Sequence, residues 1–169
     1  MGSHVEFKDF SIDVKAVLNS TTIAWLHEVA NEVTSKAQRN CVMEDDAGKQ
    51  LKGSYRNEVD EGKGEAQVGT PLEAGYWEEW GTGEYAAHRD GRKGWWVYIK
   101  GQASQGGGKS YATKEEAEEA AAFLRSAKKL DAVVTNGRRP NYTLEKSFEA
   151  TKNPAISQLE RMLKEGMGT

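Results

Sequence analysis

Trp95-Trp96-Val97-Tyr98-Ile99 decides the fold class of this chain. Aromatic and β-branched residues in an unbroken run mark a strand, and the signals on either side of it are helical. A glycine-rich loop follows over residues 101–110. Thr113-Lys114-Glu115-Glu116 then has the form of a capping box, opening a helix with Ala117, Ala120, Ala121 and Leu124 inward. Ala132-Val133-Val134-Thr135 reads as a second strand, closed by Asn136-Gly137. Strand, loop, helix and strand make a compact unit, so residues 83–138 are expected to form an inserted βαβ-like subdomain.

Working outward, the N-terminal third reads as one long helix. Ser11 is placed as its cap, and Val14, Val17, Leu18, Trp25, Leu26, Val29, Ala30, Val33 and Ala37 recur at helical spacing. Gly53-Ser54-Tyr55-Arg56-Asn57-Glu58-Val59 and Gly64-Glu65-Ala66-Gln67-Val68-Gly69 alternate in part around Asp60-Glu61-Gly62-Lys63, which predicts a hairpin. Beyond Pro140, Leu144, Ser147, Phe148 and Thr151 share a helical face. Asn153-Pro154 is expected to restart a helix carrying Ile156, Leu159 and Leu163. The fold class expected is therefore α+β. A long N-terminal helix and a C-terminal helix pack on a small, mostly antiparallel sheet, with an inserted strand–helix–strand unit. Residues 1–82 and 139–169 form the core.

A chain of 169 residues is long enough to bury a real core as one domain. Its 23 Lys and Arg against 26 Asp and Glu give a formal charge of −3, so no global field recruits nucleic acid. The single cysteine, Cys41, excludes an internal disulfide and fits a reducing compartment. No apolar run approaches the length of a membrane span.

The chain's most unusual stretch is Tyr76-Trp77-Glu78-Glu79-Trp80-Gly81-Thr82-Gly83, in which two tryptophans bracket two carboxylates. Adjacent residues point in different directions on helix or strand alike, so an acid/base pair here would need a second acid from elsewhere. Other catalytic motifs fail on inspection. Ala103-Ser104-Gln105-Gly106-Gly107-Gly108-Lys109-Ser110 has the loose form of a phosphate-binding loop, but the helix start comes later, at Thr113, so Lys109 and Ser110 do not open a helix. His88-Arg89-Asp90 lacks the asparagine and every other element of a kinase catalytic loop and reads as a solvated turn. His4, His27 and His88 have no metal-ligand spacing, and Cys41 reads as a core cysteine at a helix end. No catalytic residue, cofactor or metal is expected. Trp77, Trp80, Trp95 and Trp96 remain as candidate interface anchors.

Leu51-Lys52-Gly53-Ser54-Tyr55, Val68-Gly69-Thr70, Glu79-Trp80-Gly81-Thr82, Arg139-Pro140 and Ser147-Phe148-Glu149 stand in this order along the chain. The ordered set resembles the tail-completion, or tail-to-head joining, proteins of long-tailed bacteriophages, also described as neck or minor tail proteins. The resemblance covers most of the chain outside residues 83–138; Tyr142-Thr143-Leu144 departs from the family's aromatic-leucine pair. It implies a non-enzymatic structural protein of the virion, made in the host cytoplasm. It also implies a homo-oligomeric ring, hexameric in the virion and monomeric in solution, between the head connector and the tail tube or terminator. Genomic DNA would pass through without specific binding, with Asp45, Asp46, Glu58, Asp60 and Glu61 facing the channel. Tyr76, Trp77, Glu79, Trp80, Gly81, Thr82, Arg139 and Pro140 are the motif and interface residues this implies, together with the apolar stripe of the N-terminal helix. The rival expectation is a glycan- or peptidoglycan-binding module. It rests on the Trp95/Trp96 strand and on the likeness of residues 83–138 to half of a SPOR-type peptidoglycan-binding repeat.

Overall fold

A computed structural model describes residues 11–43, 46–100 and 108–166, and within these the side chains from Asn19 onward, except those of residues 46 and 47. The class is α+β. A 30-residue helix, α1 (Ser11–Asn40), is followed by α2 (Asp46–Ser54) and the strands β1 (Arg56–Asp60) and β2 (Glu65–Gly69). Next come α3 (Glu73–Trp80) and a single 3-10 turn, then β3 (Trp95–Ile99), β4 (Ser110–Tyr111), α4 (Lys114–Lys128), β5 (Ala132–Thr135) and α5 (Thr143–Gly166). The strands form two antiparallel sheets, a β1–β2 hairpin and a three-stranded sheet of order β4-β3-β5.

Helix α1 is the spine. It lies along α5 on one side and on the β1–β2 hairpin on the other. Its buried residues Ala30, Val33 and Ala37 meet an equally slim stripe on α5, where Thr143, Ser147, Thr151 and Ala155 recur every fourth residue and are all buried. Small side chains let the two backbones approach closely. The hydroxyls do not need water, because Ser147 Oγ donates to the Thr143 carbonyl at 2.6 Å and Thr151 Oγ1 to that of Ser147 at 2.8 Å. Phe148, expected to share this face, lies outside it at 51% exposure, and Ile156, expected in the apolar stripe beyond Pro154, is 47% exposed. Ala37, Cys41, Leu51 and Tyr55 form the central cluster, with Met43, Ala74 and Leu144 against it.

Three sequence expectations are corrected. Gly53 and Ser54 end α2 instead of beginning a strand, so the hairpin starts at Arg56. Two glycines in nine residues hide that helix from a propensity reading. Asn153-Pro154 restarts nothing, since α5 runs through Pro154. Proline has no N–H to give the Ala150 carbonyl, and Lys36 Nζ on α1 donates to that carbonyl at 3.0 Å instead. Trp25 Nε1 braces the next residue by donating to the Ala155 carbonyl at 2.7 Å. The inserted unit, finally, has one more strand than expected. The short β4 pairs antiparallel with β3, and β5 also runs antiparallel to β3, so the unit is strand–strand–helix–strand without a parallel crossover.

The capping box before α4 is present: Glu116 N–H donates to Thr113 Oγ1 at 3.2 Å, and Glu116 Oε2 accepts from the Ala112 N–H at 3.2 Å. Ala117 and Ala121 are buried. β3, β4, α4 and β5 pack chiefly on one another. Of the acids expected to line a channel, Glu58, Asp60 and Glu61 are exposed on the hairpin, and Asp45 and the side chain of Asp46 lie outside the described residues. Lys63 lowers the Asp60 carboxyl pKa by hydrogen bonding to it. Most of the 101–110 loop also lies outside the described residues.

Candidate functional site

Helix α3 carries Glu78 and Glu79 side by side, and both are buried, Glu78 completely. Their directions diverge, as adjacency requires, yet both are used by the same segment of chain, residues 138–145, which wraps around the end of α3.

Glu79 reaches the start of α5. Its Oε2 accepts the Leu144 N–H at 2.7 Å and its Oε1 the Glu145 N–H at 3.0 Å. A helix leaves its first N–H groups without intrahelical partners and carries partial positive charge there. Ordinarily a local Ser, Thr, Asp or Asn supplies the acceptor. Here the preceding residue is Tyr142, held at φ 53° with no side-chain acceptor for the purpose, and α3 lends its own carboxylate. The exchange runs both ways, because the Glu78 and Glu79 carbonyls near the end of α3 accept from the Asn141 and Tyr142 N–H groups at 2.9 and 3.2 Å. Helix α3 therefore caps the start of α5, and the two residues that lead into α5 satisfy carbonyls at the end of α3.

Glu78 ties this joint to the end of α1. Its Oε1 accepts from the Val42 N–H at 2.8 Å, from Asn141 Nδ2 at 3.1 Å and from Thr143 Oγ1 at 3.3 Å. Its Oε2 lies 2.9 Å from an Arg138 guanidinium nitrogen, but no N–H is aligned with it as a hydrogen bond. The contact is close charge neutralisation, weakened by the 36% exposure of Arg138. Asn141 Nδ2 also reaches the Asn40 carbonyl at 2.9 Å, and Asn40 Nδ2 donates to Ser147 Oγ at 3.0 Å. Three chain segments, residues 40–42, 78–79 and 138–147, are thus fastened at one hub.

Gly81-Thr82-Gly83 continues the fastening, mostly through backbone, with the Thr82 Oγ1 also accepting from the Arg138 N–H at 3.0 Å. Thr82 N–H donates to the Arg138 carbonyl at 2.8 Å, and the Arg138 N–H returns to the Thr82 carbonyl at 3.2 Å. Glu84 N–H donates to the Asn136 carbonyl at 2.9 Å. Gly81 has φ 73°, and a Cβ there would lie 2.6 Å from the Arg138 oxygen. The Gly-Thr-Gly run is the point where the chain leaves the core for the inserted unit and, opposite Asn136 to Arg138, where it returns.

The expected site residues are distributed around this hub. Trp80 is half-buried, 4.8 Å from His88 and 6.1 Å edge-on from Tyr142, centroid to centroid. Trp77 is half-buried and Tyr76 is 51% exposed. Arg139 is exposed, its guanidinium 4.8 Å over the Tyr85 ring, so the arginine that meets the acids is Arg138. Pro140 packs against Gly81. Trp95 and Trp96 are also half-buried. The α1 stripe proposed as an interface is consumed internally at Ala30, Val33 and Ala37. Sequence reasoning missed Glu78, Arg138, Asn141 and Thr143 as partners; only the placement of Arg138 beside Arg139-Pro140 hinted at one of them.

Chemically the hub holds chain segments together. Each glutamate is committed to peptide N–H donors. Burial pushes the Cys41 thiol pKa up, with the Glu78 charge adding to it, which disfavours the nucleophilic thiolate. Burial raises the Tyr55 phenol as well. Among the described residues no three His, Cys, Asp or Glu side chains gather as a metal site. Replacing Glu79 by alanine is expected to cost about 2–3 kcal/mol, as two N–H groups lose a charged acceptor. Urea unfolding would show it, and a loss under about 0.5 kcal/mol, the size of a neutral surface change, would remove the capping role. No known protein family, curated protein or solved structure matches the chain.

Proposed function

We propose that this chain is a non-enzymatic virion protein of a long-tailed phage, a ring subunit that joins the tail to the head connector. The observation that carries the reading is the meeting of Glu79-Trp80-Gly81-Thr82 with the Arg138-to-Leu144 segment. Two motifs more than fifty residues apart are brought side by side there: Pro140 packs against Gly81, and the residues flanking Arg139-Pro140 bond to Glu79 and Thr82. A joint of this kind suits a subunit that must keep its shape under load.

A ring requires two unlike patches repeated about an axis. Tyr76 on α3 is one candidate. The other is the apolar groove of about 200 Å³ lined by Val29, Val33, Ala66, Val68, Leu144 and Phe148, with Ile156 exposed farther along α5. Apolar surface of this kind gains by being covered.

The test mixes purified protein with tailless heads and free tails and counts joined particles by electron microscopy. Wild-type protein is expected to restore joining and Phe148→Glu to abolish it while keeping the wild-type melting temperature. Binding to neither heads nor tails would sink the proposal, as would capture by peptidoglycan in their place.

A further inference from the structure

The overall charge of −3 hides a local reversal. Residues 85–114 hold six cations, Arg89, Arg92, Lys93, Lys100, Lys109 and Lys114, against one acid, Asp90. Most of them lie, with Arg139, at the end of the three-stranded sheet where β3 starts, β4 lies and β5 ends, and on both of its faces, since Trp95 and its partner Tyr111 point to one side and Trp96 to the other.

Four of these cations sit on aromatic faces. Arg92 lies 5.1 Å over Trp96, Lys109 4.9 Å over Tyr111, Lys114 5.8 Å over Trp95 and Arg139 4.8 Å over Tyr85. Arg92 is fixed further by donating to Ser110 Oγ at 2.7 Å and to the Gly108 carbonyl. Among the described residues no carboxylate lies within ion-pair distance of Arg92, Lys93, Lys109, Lys114 or Arg139. Two of the acids that flank the stretch are engaged elsewhere: Glu84 accepts from the Gly94 N–H at 3.3 Å and from Asn136 Nδ2 at 3.2 Å, and Glu116 from the Ala112 N–H.

Each ring lends a face to a cation of the same chain and so acts as a mount for it. Holding long side chains in place before binding lowers the entropy lost on binding. The ligand such an array suits is a dense, regular line of anions, and a DNA duplex is one.

We propose that this end of the inserted unit binds double-stranded DNA through its phosphates, without reading sequence. The site stands on charge and ring geometry alone and does not depend on the neck reading. A chain that fails to join heads and tails but binds DNA would separate the two.

The experiment is fluorescence anisotropy of the full chain with labelled duplexes of about 30 bp, roughly three helical turns. Engaging about four phosphates, the affinity should fall roughly 100-fold between about 50 and 200 mM salt. Lys93→Glu/Lys109→Glu, two exposed positions, should weaken binding at least ~10-fold and lower the salt slope by about 2. Lys146→Glu/Lys152→Glu on α5 should leave both unchanged, and two unrelated duplex sequences should bind alike. Equal loss in both double variants, no binding at low salt, or preference for an acidic peptide such as polyglutamate over the duplex would overturn the proposal.

Discussion

Replacing Glu78 by alanine is expected to destabilise the chain by about 3–4 kcal/mol, the range for breaking a buried charged network. The Val42 N–H, the Thr143 hydroxyl and the Asn141 amide all lose an acceptor at once, and a fully buried side chain leaves a void. Arg138 moderates the loss, because its partial exposure lets it turn to water. Glu78→Gln keeps the volume and an oxygen acceptor, so it should recover about half of the difference, near 2 kcal/mol. Urea unfolding of the three proteins measures both numbers. An alanine variant within about 1 kcal/mol of wild type would show that the hub does not hold the fold.

Gly83→Ala is expected to do comparable damage by a different route. The residue has φ 61°, which costs a side chain roughly 1–2 kcal/mol. An added Cβ would lie 2.2 Å from the Asn136 oxygen and 2.5 Å from the Trp96 ring. Two backbones and an indole would have to part, adding about 1–3 kcal/mol. The melting temperature should fall by roughly 5–15 °C, with a change in tryptophan emission. Gly53→Ala is the control. Nothing lies within 4 Å of its added Cβ, and in helix α2 the substitution should stabilise by about 0.5 kcal/mol. If the two variants melt together, the close approach at Gly83 is not what joins unit and core.

What the sequence displays plainly is what neighbouring residues decide. The Trp95–Ile99 strand, the Thr113 cap with its Glu116, and the period of α1 all lie within a few residues of their cause. What it conceals depends on partners far along the chain. Nothing near Pro154 announces that a lysine more than a hundred positions earlier will take the carbonyl the proline leaves unpaired. Nothing near Tyr142 says that the cap of α5 sits on α3. Helix α2 escapes because of Gly48 and Gly53, and β4 because two residues carry no period. The Glu78-Glu79 pair is the instructive case. Divergence on one helix argues against a local acid pair, but it does not foresee a loop that folds around both.

The proline in α5 has a consequence for motion. A helix hydrogen-bond ladder broken at one rung lets the parts on either side open separately. The half before Pro154 is anchored by the glutamate hub and by Thr143, Ser147 and Thr151 of the small-residue stripe, whereas the half after it is held to α1 at Ala155, through Trp25, and by the Gln158 amide donating to the Glu28 carboxylate. Fraying from the C-terminal end can therefore stop at the proline, and the hub keeps its arrangement while the distal helix swings. A subunit built this way meets its neighbours with a rigid joint at one end and an adjustable arm at the other.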